Sequence, residues 1–169
     1  MNGIIYQESE EFTDTRGSFV KVYQNGSFGA EVKFYLQEIF FSKSHKSVIR
    51  GFHLQTGESA STRLISVLSG SILDVLLDLR PESSTYLEFH TLELTENRPH
   101  ILIVPPGVAH GFLALEDCLI VYASDKSYDP LLDKGVNPNS SGYKWPIKNP
   151  IISERDSKLP SIEEWIKSN

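Results

Sequence analysis

Short apolar runs alternate with turn signals along most of the chain, a pattern that favours β-strands over helices. The predicted strands are rich in Val, Ile, Leu, Phe and Tyr, and they cover residues 18–23, 33–41, 64–68, 71–79, 86–94, 100–104 and 119–123. Clusters of Gly, Pro and Asn predict turns at Asn25-Gly26, Ser69-Gly70, 81–84, 96–99 and 105–107. Ser69-Gly70 also predicts a β-hairpin between its two flanking strands. Closely spaced strands without intervening helices predict an all-β antiparallel barrel or sandwich.

The last third of the chain has a different pattern. Residues 128–150 are rich in turns because four prolines interrupt them, and we expect an ordered surface tail there. Ser161-Ile162-Glu163-Glu164 is a capping box followed by Trp165, which predicts one short terminal helix. No repeat, low-complexity stretch or charge block divides the sequence, so residues 1–169 are predicted to form a single domain.

Composition narrows the range of functions. A 169-residue chain with 40% hydrophobic and 22% charged residues is typical of one folded globular domain. Its net charge of −6 opposes general binding of nucleic acid or anionic membranes, so an anionic ligand would need a local positive pocket. One cysteine, Cys118, is too few for an internal disulfide or a thiolate metal cluster. With no segment resembling a signal peptide or a spanning helix, we expect a cytoplasmic protein.

Two of the five histidines stand in surroundings that suggest a site. His53 follows Arg50 and Gly51, and residues three apart on a flat strand face opposite sides. A bulge or kink at Gly51 is therefore required if Arg50 and His53 are to point into one pocket. His110 lies between a proline turn and the apolar run 112–115, where a polar ring needs a partner that a catalytic pocket could supply.

Several segments, taken together and in order, resemble the dTDP-4-dehydrorhamnose 3,5-epimerase family of nucleotide-sugar epimerases. They are residues 14–19, 48–55, 74–80, 104–112, 121–122, 128–130 and 152–156. The resemblance implies a cupin, or jelly-roll, antiparallel β-barrel with a short C-terminal helix. It also implies a homodimer that exchanges N-terminal strands and takes a nucleotide-diphosphate sugar as substrate. The implied activity is epimerisation of a 4-keto-6-deoxy sugar at C3, C5 or both, without a cofactor, in deoxysugar and surface-polysaccharide biosynthesis.

The resemblance also implies roles for individual residues. Inverting a carbon next to a ketone requires a base on one face, a proton donor on the other, and positive charge near the ketone oxygen. His53 matches the family's base, Asp156 the carboxylate that orients it, and Tyr122 the proton donor. The positions that match substrate-binding residues are Arg16, Arg50, Arg63, His110, Tyr128, Asp133 and Arg155.

A metal-dependent reaction is an alternative to the metal-free epimerisation that the resemblance implies. Metal-dependent cupins present His-x-His with a downstream Glu and a further His. This chain has His53-Leu54-Gln55, which leaves too few ligands for a tight site, so a metal-free site is predicted.

The chain also departs from the family's usual pattern. Arg63 stands where the family has Lys, Lys21 where it has Glu, and residues 38–40 (Glu-Ile-Phe) where it has Gln-x-Asn. Residues 136–139 replace a Trp-Asn-Asp stretch. A GDP-, CDP- or UDP-linked sugar, or a heptose, therefore remains open. So do two other functions: a 3,4-ketoisomerase, which typically carries a second His where Gln55 stands, and a non-catalytic cupin that binds a nucleotide sugar.

Overall fold

The computed structural model describes residues 1–24, 26 and 34–168, and β-strands dominate this part of the chain. The strands are β1 (Ile5–Glu8), β2 (Glu11–Asp14), β3 (Gly17–Val20), β4 (Glu38–Ser44), β5 (Val48–Gln55), β6 (Arg63–Ser69), β7 (Ser71–Asp78), β8 (Phe89–Thr95), β9 (His100–Val104), β10 (Val108–Ala114), β11 (Cys118–Ser124), β12 (Asp133–Gly135) and β13 (Ile151–Ile152). The helical elements are a 3-10 turn at Gly57–Ser59, α1 (Glu154–Ser157) and α2 (Ile162–Ser168).

Two sheets face each other and enclose the main core. One has the strand order β1-β9-β6-β11-β4, and the other has β12-β5-β10-β7-β8 with β13 added beside β5. Every pairing is antiparallel except that of β13 with β5, and β2 and β3 form a separate hairpin. Alternate side chains fill the space between the sheets, among them Ile65 and Leu102 from the first sheet and Leu76 and Phe112 from the second. The predicted all-β antiparallel architecture is confirmed.

The C-terminal segments cover the outer face of the second sheet. Phe52, Val75 and Leu77 on that face pack with Trp165 of α2, which is 7% exposed. The predicted capping box is confirmed, because Glu164 N donates to Ser161 Oγ and Ser161 N donates to the Glu164 carboxylate. The C-terminal segments thus bury the outer face of the second sheet, while its inner face points toward the first sheet.

The predicted hairpin at Ser69-Gly70 is wrong. Strand β6 pairs with β9 and β11, whereas β7 pairs with β8 and β10, so this turn carries the chain from one sheet to the other. Gly70 has φ +76°, and a Cβ there would lie 2.3 Å from Asp117 O. The turn signal is real, but the flanking strands are buried in separate layers and do not pair.

Several strand boundaries also differ from the prediction. The strand predicted at 33–41 begins at Glu38, the one predicted at 86–94 begins at Phe89, and the one predicted at 18–23 ends at Val20. Lys33 of the first of these strands, and Asn25 of the predicted Asn25-Gly26 turn, lie outside the described residues. Polar residues dominate the short strands β2 and β12, which contain no apolar run that a sequence pattern could detect.

Candidate active site

A cavity of about 350 Å³ opens between the two sheets. Eight of the ten residues predicted for the site line it: His53, Tyr122, Arg50, Arg63, His110, Tyr128, Asp133 and Arg155. Glu38, Phe40, Ser42 and Gln55 also contribute to its wall. Segments far apart in the sequence thus converge on one hollow, as the matching positions predicted.

A bulge at Gly51 aims both Arg50 and His53 into the cavity. His53 lies opposite His110 and Arg50 lies opposite Phe112, so β5 has one more residue in this interval than β10. Gly51 adopts φ +117°, and a Cβ on it would come within 2.4 Å of Gly111 Cα. Only glycine allows this close approach of the two strands. The bulge that the three-residue spacing required is confirmed.

Asp156 is buried directly behind His53. Its Oδ1 lies 2.8 Å from His53 Nε2, and its Oδ2 accepts a hydrogen bond from Gly51 N at 3.1 Å. Strand β13 runs parallel to β5, which brings the next residues beside Gly51, and Ser153 caps α1 by accepting from Asp156 N. These two contacts fix a carboxylate 103 residues distant in sequence against the imidazole.

The protonation state of this pair follows from the contacts of Asp156. Burial raises its pKa, but the His53 hydrogen bond and charge, the Gly51 N–H and Arg155 together lower the pKa below its ordinary value. An ionised carboxylate only accepts hydrogen bonds, so Nε2 of His53 must carry the proton. In the neutral ring Nδ1 then holds the free lone pair, and it is the atom of His53 that can take a proton.

Tyr122 comes from the opposite sheet. Its ring stacks on Phe40, directly across the β11–β4 pair, with centroids 4.9 Å apart and an interplanar angle of 11°. The His110 ring meets it edge-on at 6.0 Å. Burial raises the pKa of Tyr122 well above its ordinary value, against the opposing effects of Ser42, Arg50 and Arg63. The phenol therefore keeps its proton at neutral pH and can only act as a donor of it.

A second histidine–carboxylate pair, which the sequence analysis missed, forms the floor of the cavity. His110 Nε2 lies 2.6 Å from Asp74 Oδ2, and Asp74 is fully buried in β7. The signal was a carboxylate inside the otherwise apolar run 72–77, because a buried charge requires a partner. Asp74 holds the His110 ring in place just as Asp156 holds His53.

Two arginines are anchored so that they present positive charge to the cavity. The NH2 group of Arg63 donates to the carbonyl oxygens of His53 (3.0 Å) and Val108 (3.1 Å). Desolvation lowers the pKa of Arg63, and the negative charges of Asp74 and Asp133 oppose that effect. Arg50 donates to Ser44 Oγ at 2.9 Å and to Lys43 O at 3.1 Å, so it reaches from β5 to β4.

The mouth of the cavity is organised around Asp133. Its Oδ2 accepts hydrogen bonds from the Tyr128 hydroxyl at 2.9 Å and from Arg155. The loop that carries Tyr128 is tied to both walls, because Tyr128 N donates to Glu38 and Asp129 N donates to Gln55 Oε1. Asp133, as hydrogen-bond acceptor and as negative charge, raises the pKa of Tyr128, with burial a smaller cause.

Comparison with known proteins agrees with this arrangement. A family model described as dTDP-4-dehydrorhamnose 3,5-epimerase matches residues 1–164. An enzyme of that name from Methanothermobacter thermautotrophicus is 35% identical over 173 residues, covering 97% of this chain and 92% of the relative. The chain belongs to the dTDP-4-dehydrorhamnose 3,5-epimerase family.

Solved structures of the family share the fold. The crystal structure of the epimerase from Sulfolobus tokodaii superposes with a TM-score of 0.92 at 36% identity, over 97% of this chain and 93% of that one. That of the Bacillus anthracis epimerase, with TDP and PPi bound, gives 0.90 at 33% identity, over 95% and 94%. The expected cupin fold is therefore confirmed, and the protein is an isomerase of the epimerase type.

Arg16 is the one matching arginine of this epimerase-family chain that does not line the cavity. It lies in the turn of the β2–β3 hairpin, where its guanidinium donates to both oxygens of Asp14, and its side chain is 88% exposed. The hairpin pairs with neither large sheet, so its position within a single chain does not bring Arg16 to His53. Its predicted role in substrate binding stays a prediction.

Two further properties of this epimerase-family chain bear on the predictions. Within residues 1–24, 26 and 34–168, no group of three or more His, Cys, Asp or Glu side chains is placed to hold a metal ion. The metal-free, cofactor-free reaction stays a prediction. None of the helices in the described part of the chain is long and apolar enough to cross a membrane.

Proposed function

We propose that this enzyme inverts C3, C5 or both of a nucleotide-linked 4-keto-6-deoxy sugar, with a dTDP-linked sugar as the first candidate. The observation that carries the proposal is the pairing of His53 with an ionised Asp156 on one side of the cavity, opposite a phenol on Tyr122 that keeps its proton. The names of the family members and the TDP bound to the Bacillus anthracis enzyme support the dTDP-linked substrate.

Proton removal is the first step. Nδ1 of His53 takes a proton from a carbon next to the ketone, and the electron pair of that C–H bond moves onto the ketone oxygen to give an enolate. Asp156 stabilises the imidazolium that forms, because its carboxylate is 2.8 Å from Nε2. The Arg63 guanidinium, held by two carbonyl oxygens, stabilises the negative oxygen.

Proton return completes the inversion. Tyr122 gives its hydroxyl proton to the same carbon from the opposite face, and the enolate electrons re-form the C–H bond and the ketone. The carbon of an enolate is more basic than a phenolate, so transfer is downhill even though the pKa of Tyr122 is raised. One proton leaves to His53 and one arrives from Tyr122, and solvent restores both residues before the next turnover.

The arginines give the acidic protein its local affinity for a diphosphate. Arg50 lies beside the wall formed by β4, and Arg155 lies at the mouth. One planar guanidinium group can donate two parallel hydrogen bonds to two phosphate oxygens. The diphosphate at C1 would thus lie near Arg50 while the ketone at C4 lies near Arg63.

The homodimer is also part of this proposal. The β2–β3 hairpin exposes Phe12 and Phe19, which are 55% and 60% exposed and whose tilted rings lie near Arg16 with centroids 6.4 Å apart. Outside the cavity, Ile39 and Phe41 on β4 are each 66% exposed. Insertion of the hairpin into a second copy would cover these apolar residues and deliver Arg16 to the partner's cavity. Light scattering of the purified chain tests it, and a monomer that retains full activity would contradict it.

A cytoplasmic location completes the proposal. Cys118 is buried and unpaired, as is usual for a protein kept in a reducing compartment. Fractionation of cells that express the chain tests this location, and recovery of the protein outside the cytoplasm would exclude it.

The deciding experiment is incubation of candidate nucleotide 4-keto-6-deoxy sugars in deuterated buffer, followed by NMR. One deuterium at C3 would identify a monoepimerase and deuterium at both C3 and C5 a 3,5-epimerase. His53→Ala should abolish exchange and leave nucleotide affinity nearly unchanged, since the ring contributes to the chemistry more than to diphosphate binding. Absence of exchange with every candidate would exclude the epimerase function and leave a non-catalytic binding protein.

The 3,4-ketoisomerase alternative is disfavoured by Gln55. That reaction needs a second group to move a proton between carbons, and its usual His is replaced by an amide that has no basic nitrogen. Gln55 Oε1 is moreover occupied by Asp129 N at 3.0 Å, so the side chain serves to hold the loop at the mouth.

A further inference from the structure

An aromatic neighbour of the proposed proton donor has no role in the mechanism described above. Phe40 lies across the β11–β4 pair from Tyr122, and both side chains line the cavity between the sheets. The two rings stack almost in parallel, with an interplanar angle of 11° and centroids 4.9 Å apart. Tyr122 is 7% exposed and Phe40 is 43% exposed, so Phe40 covers one face of the Tyr122 ring and itself meets the open part of the cavity.

The other aromatic neighbour of Tyr122 in the cavity is fixed in place. His110 meets the Tyr122 ring at an interplanar angle of 67°, and its Nε2 lies 2.6 Å from the buried carboxylate of Asp74. The side chain of Phe40 has no polar atom with which to anchor itself, and β4 is the edge strand of its sheet. An anchored histidine therefore confines the Tyr122 ring on one side, and stacking alone confines it on the side of β4.

The position of the Tyr122 ring decides the stereochemical outcome of the reaction. Tyr122 and His53 come from facing sheets, and an enolate between them can receive a proton from either residue. Return of the proton from His53 restores the original configuration, whereas delivery from Tyr122 inverts the carbon. A donor must lie within hydrogen-bonding reach of its acceptor, about 2.6–3.2 Å, so a phenol that swings away from the enolate favours the return from His53.

We propose that Phe40 is a positioning residue for Tyr122, and that its ring holds the phenol where the proton reaches the face of the enolate opposite His53. This role requires contact with the donor only, whichever atom of the sugar lies beside Phe40. Phe40 also stands where the family has Asn, and an amide would offer hydrogen bonds but no flat apolar face. The inference rests on the proposed epimerase function and adds a residue to its machinery.

The strength of one aromatic pair sets the size of the expected effect. Loss of the stacking should lower the population of the aligned Tyr122 ring. The ratio of inversion to exchange with retained configuration should fall with it, roughly 3- to 10-fold. Proton removal by His53 should change much less, because His53 is held by Asp156 and lies on the other sheet.

The test follows dTDP-4-keto-6-deoxyglucose by NMR in deuterated buffer and measures two initial rates in one sample. Inverted sugar reports delivery from Tyr122, and deuterated sugar of retained configuration reports return from His53 after exchange with solvent. Phe40→Leu keeps an apolar side chain without a flat face and should lower the ratio of inversion to retention. Phe40→Trp keeps a flat aromatic face and should preserve that ratio. Leu68→Ala is the matched control and should match the wild type, because Leu68 is 45% exposed on β6 of the same sheet.

The ratio separates positioning from a merely structural role. General damage slows both routes alike, so an unchanged ratio in Phe40→Leu would overturn the inference even if the total rate fell. Loss of both routes in Phe40→Leu would overturn it too, because this side chain would then support the fold or His53 rather than the donor. A fall in Phe40→Trp as large as that in Phe40→Leu would show that the flat face is irrelevant. All three results leave the epimerase function intact as long as the wild type inverts the sugar, whereas a wild type without any exchange would remove both.

Discussion

Asp156→Asn is the sharpest test of the proposed base. The substitution preserves size, but the two oxygens of Asp156 have different partners, His53 Nε2 and Gly51 N. An asparagine has one oxygen, and the Gly51 N–H requires an acceptor. The amide oxygen will therefore face Gly51, and the amide NH2 will face His53.

That orientation reverses the tautomer of the imidazole. Nε2 must then accept the amide hydrogen, so Nδ1 carries the ring proton and can no longer act as a base. The variant also lacks the charge that stabilises the imidazolium, which contributes about 1.5–3 kcal/mol for a hydrogen bond to a charged group. Since each 1.4 kcal/mol is a factor of ten in rate, we expect kcat to fall about 10²- to 10⁴-fold with a much smaller change in KM.

The assay is initial-rate deuterium uptake by the wild type, Asp156→Asn and a control, Glu154→Gln. Glu154 lies on the same short helix, and its carboxylate contacts Lys158 on the exposed side. The control should retain the wild-type rate, because it removes a carboxylate of α1 that does not touch His53. If Asp156→Asn kept more than about a tenth of the wild-type kcat, an orienting carboxylate would not be needed and the assignment of Nδ1 as the base would fail.

Three further predictions concern the donor and two buried groups. Tyr122→Phe should lower the rate of inversion by about 10²- to 10⁴-fold. His53 should still exchange the proton on the face of the sugar that it contacts, which NMR detects as deuterium uptake with retained configuration. Asp78→Asn should lower the free energy of unfolding, measured in urea at pH 7, by about 3 kcal/mol, because the fully buried carboxylate holds Arg80. The contacts of Asp78 lower the pKa of its carboxyl group, so the difference in stability between wild type and variant should shrink as the pH falls below about 4. A difference that stays constant with pH would contradict the reasoning. Burial lowers the pKa of His100, so the free energy of unfolding of the wild type relative to His100→Phe should fall as the pH drops below about 6.5, by at most about 1.4 kcal/mol per pH unit. Urea midpoints of the two proteins that stay a constant distance apart from pH 7 to 5 would refute this prediction.

The sequence predicts the strands that are rich in Val, Ile and Leu better than the others. Strands β6, β7, β9 and β11 were each placed within one or two residues of their observed bounds, whereas β10, which is buried along its whole length but carries Ala, His and Gly at 109–111, was not among the predicted strands. Short strands at the sheet margins, such as the polar β12 and the two-residue β13, are defined by the partner they pair with, which no local pattern reveals. The turn at Ser69-Gly70 was correctly predicted, but whether its strands pair or separate depends on the whole sheet.

In the site, too, features set by local sequence were predicted from the residues, and contacts between distant segments were not. The bulge at Gly51 follows from spacing alone, because Arg50 and His53 could share a pocket in no other way. The contact of Asp156 with His53 spans 103 residues and depends on β13 pairing with β5, so only the resemblance to the family indicated it. Asp74 was missed because a single carboxylate in an apolar strand indicates a buried partner without naming it.

The distribution of these contacts explains how the chain keeps the family's reaction while departing from its recognition pattern. The groups that move protons are held by buried partners from distant segments, since Asp156 fixes His53 and the core encloses Tyr122. A change in any of them would leave a buried polar group unpaired and cost stability as well as rate. Phe40, by contrast, lies on an edge strand with its side chain 43% exposed, where a substitution disturbs little packing. Of the departures from the family pattern, residues 38–40 thus lie on this edge strand, one strand away from Tyr122, whereas Arg63 lies in the cavity itself.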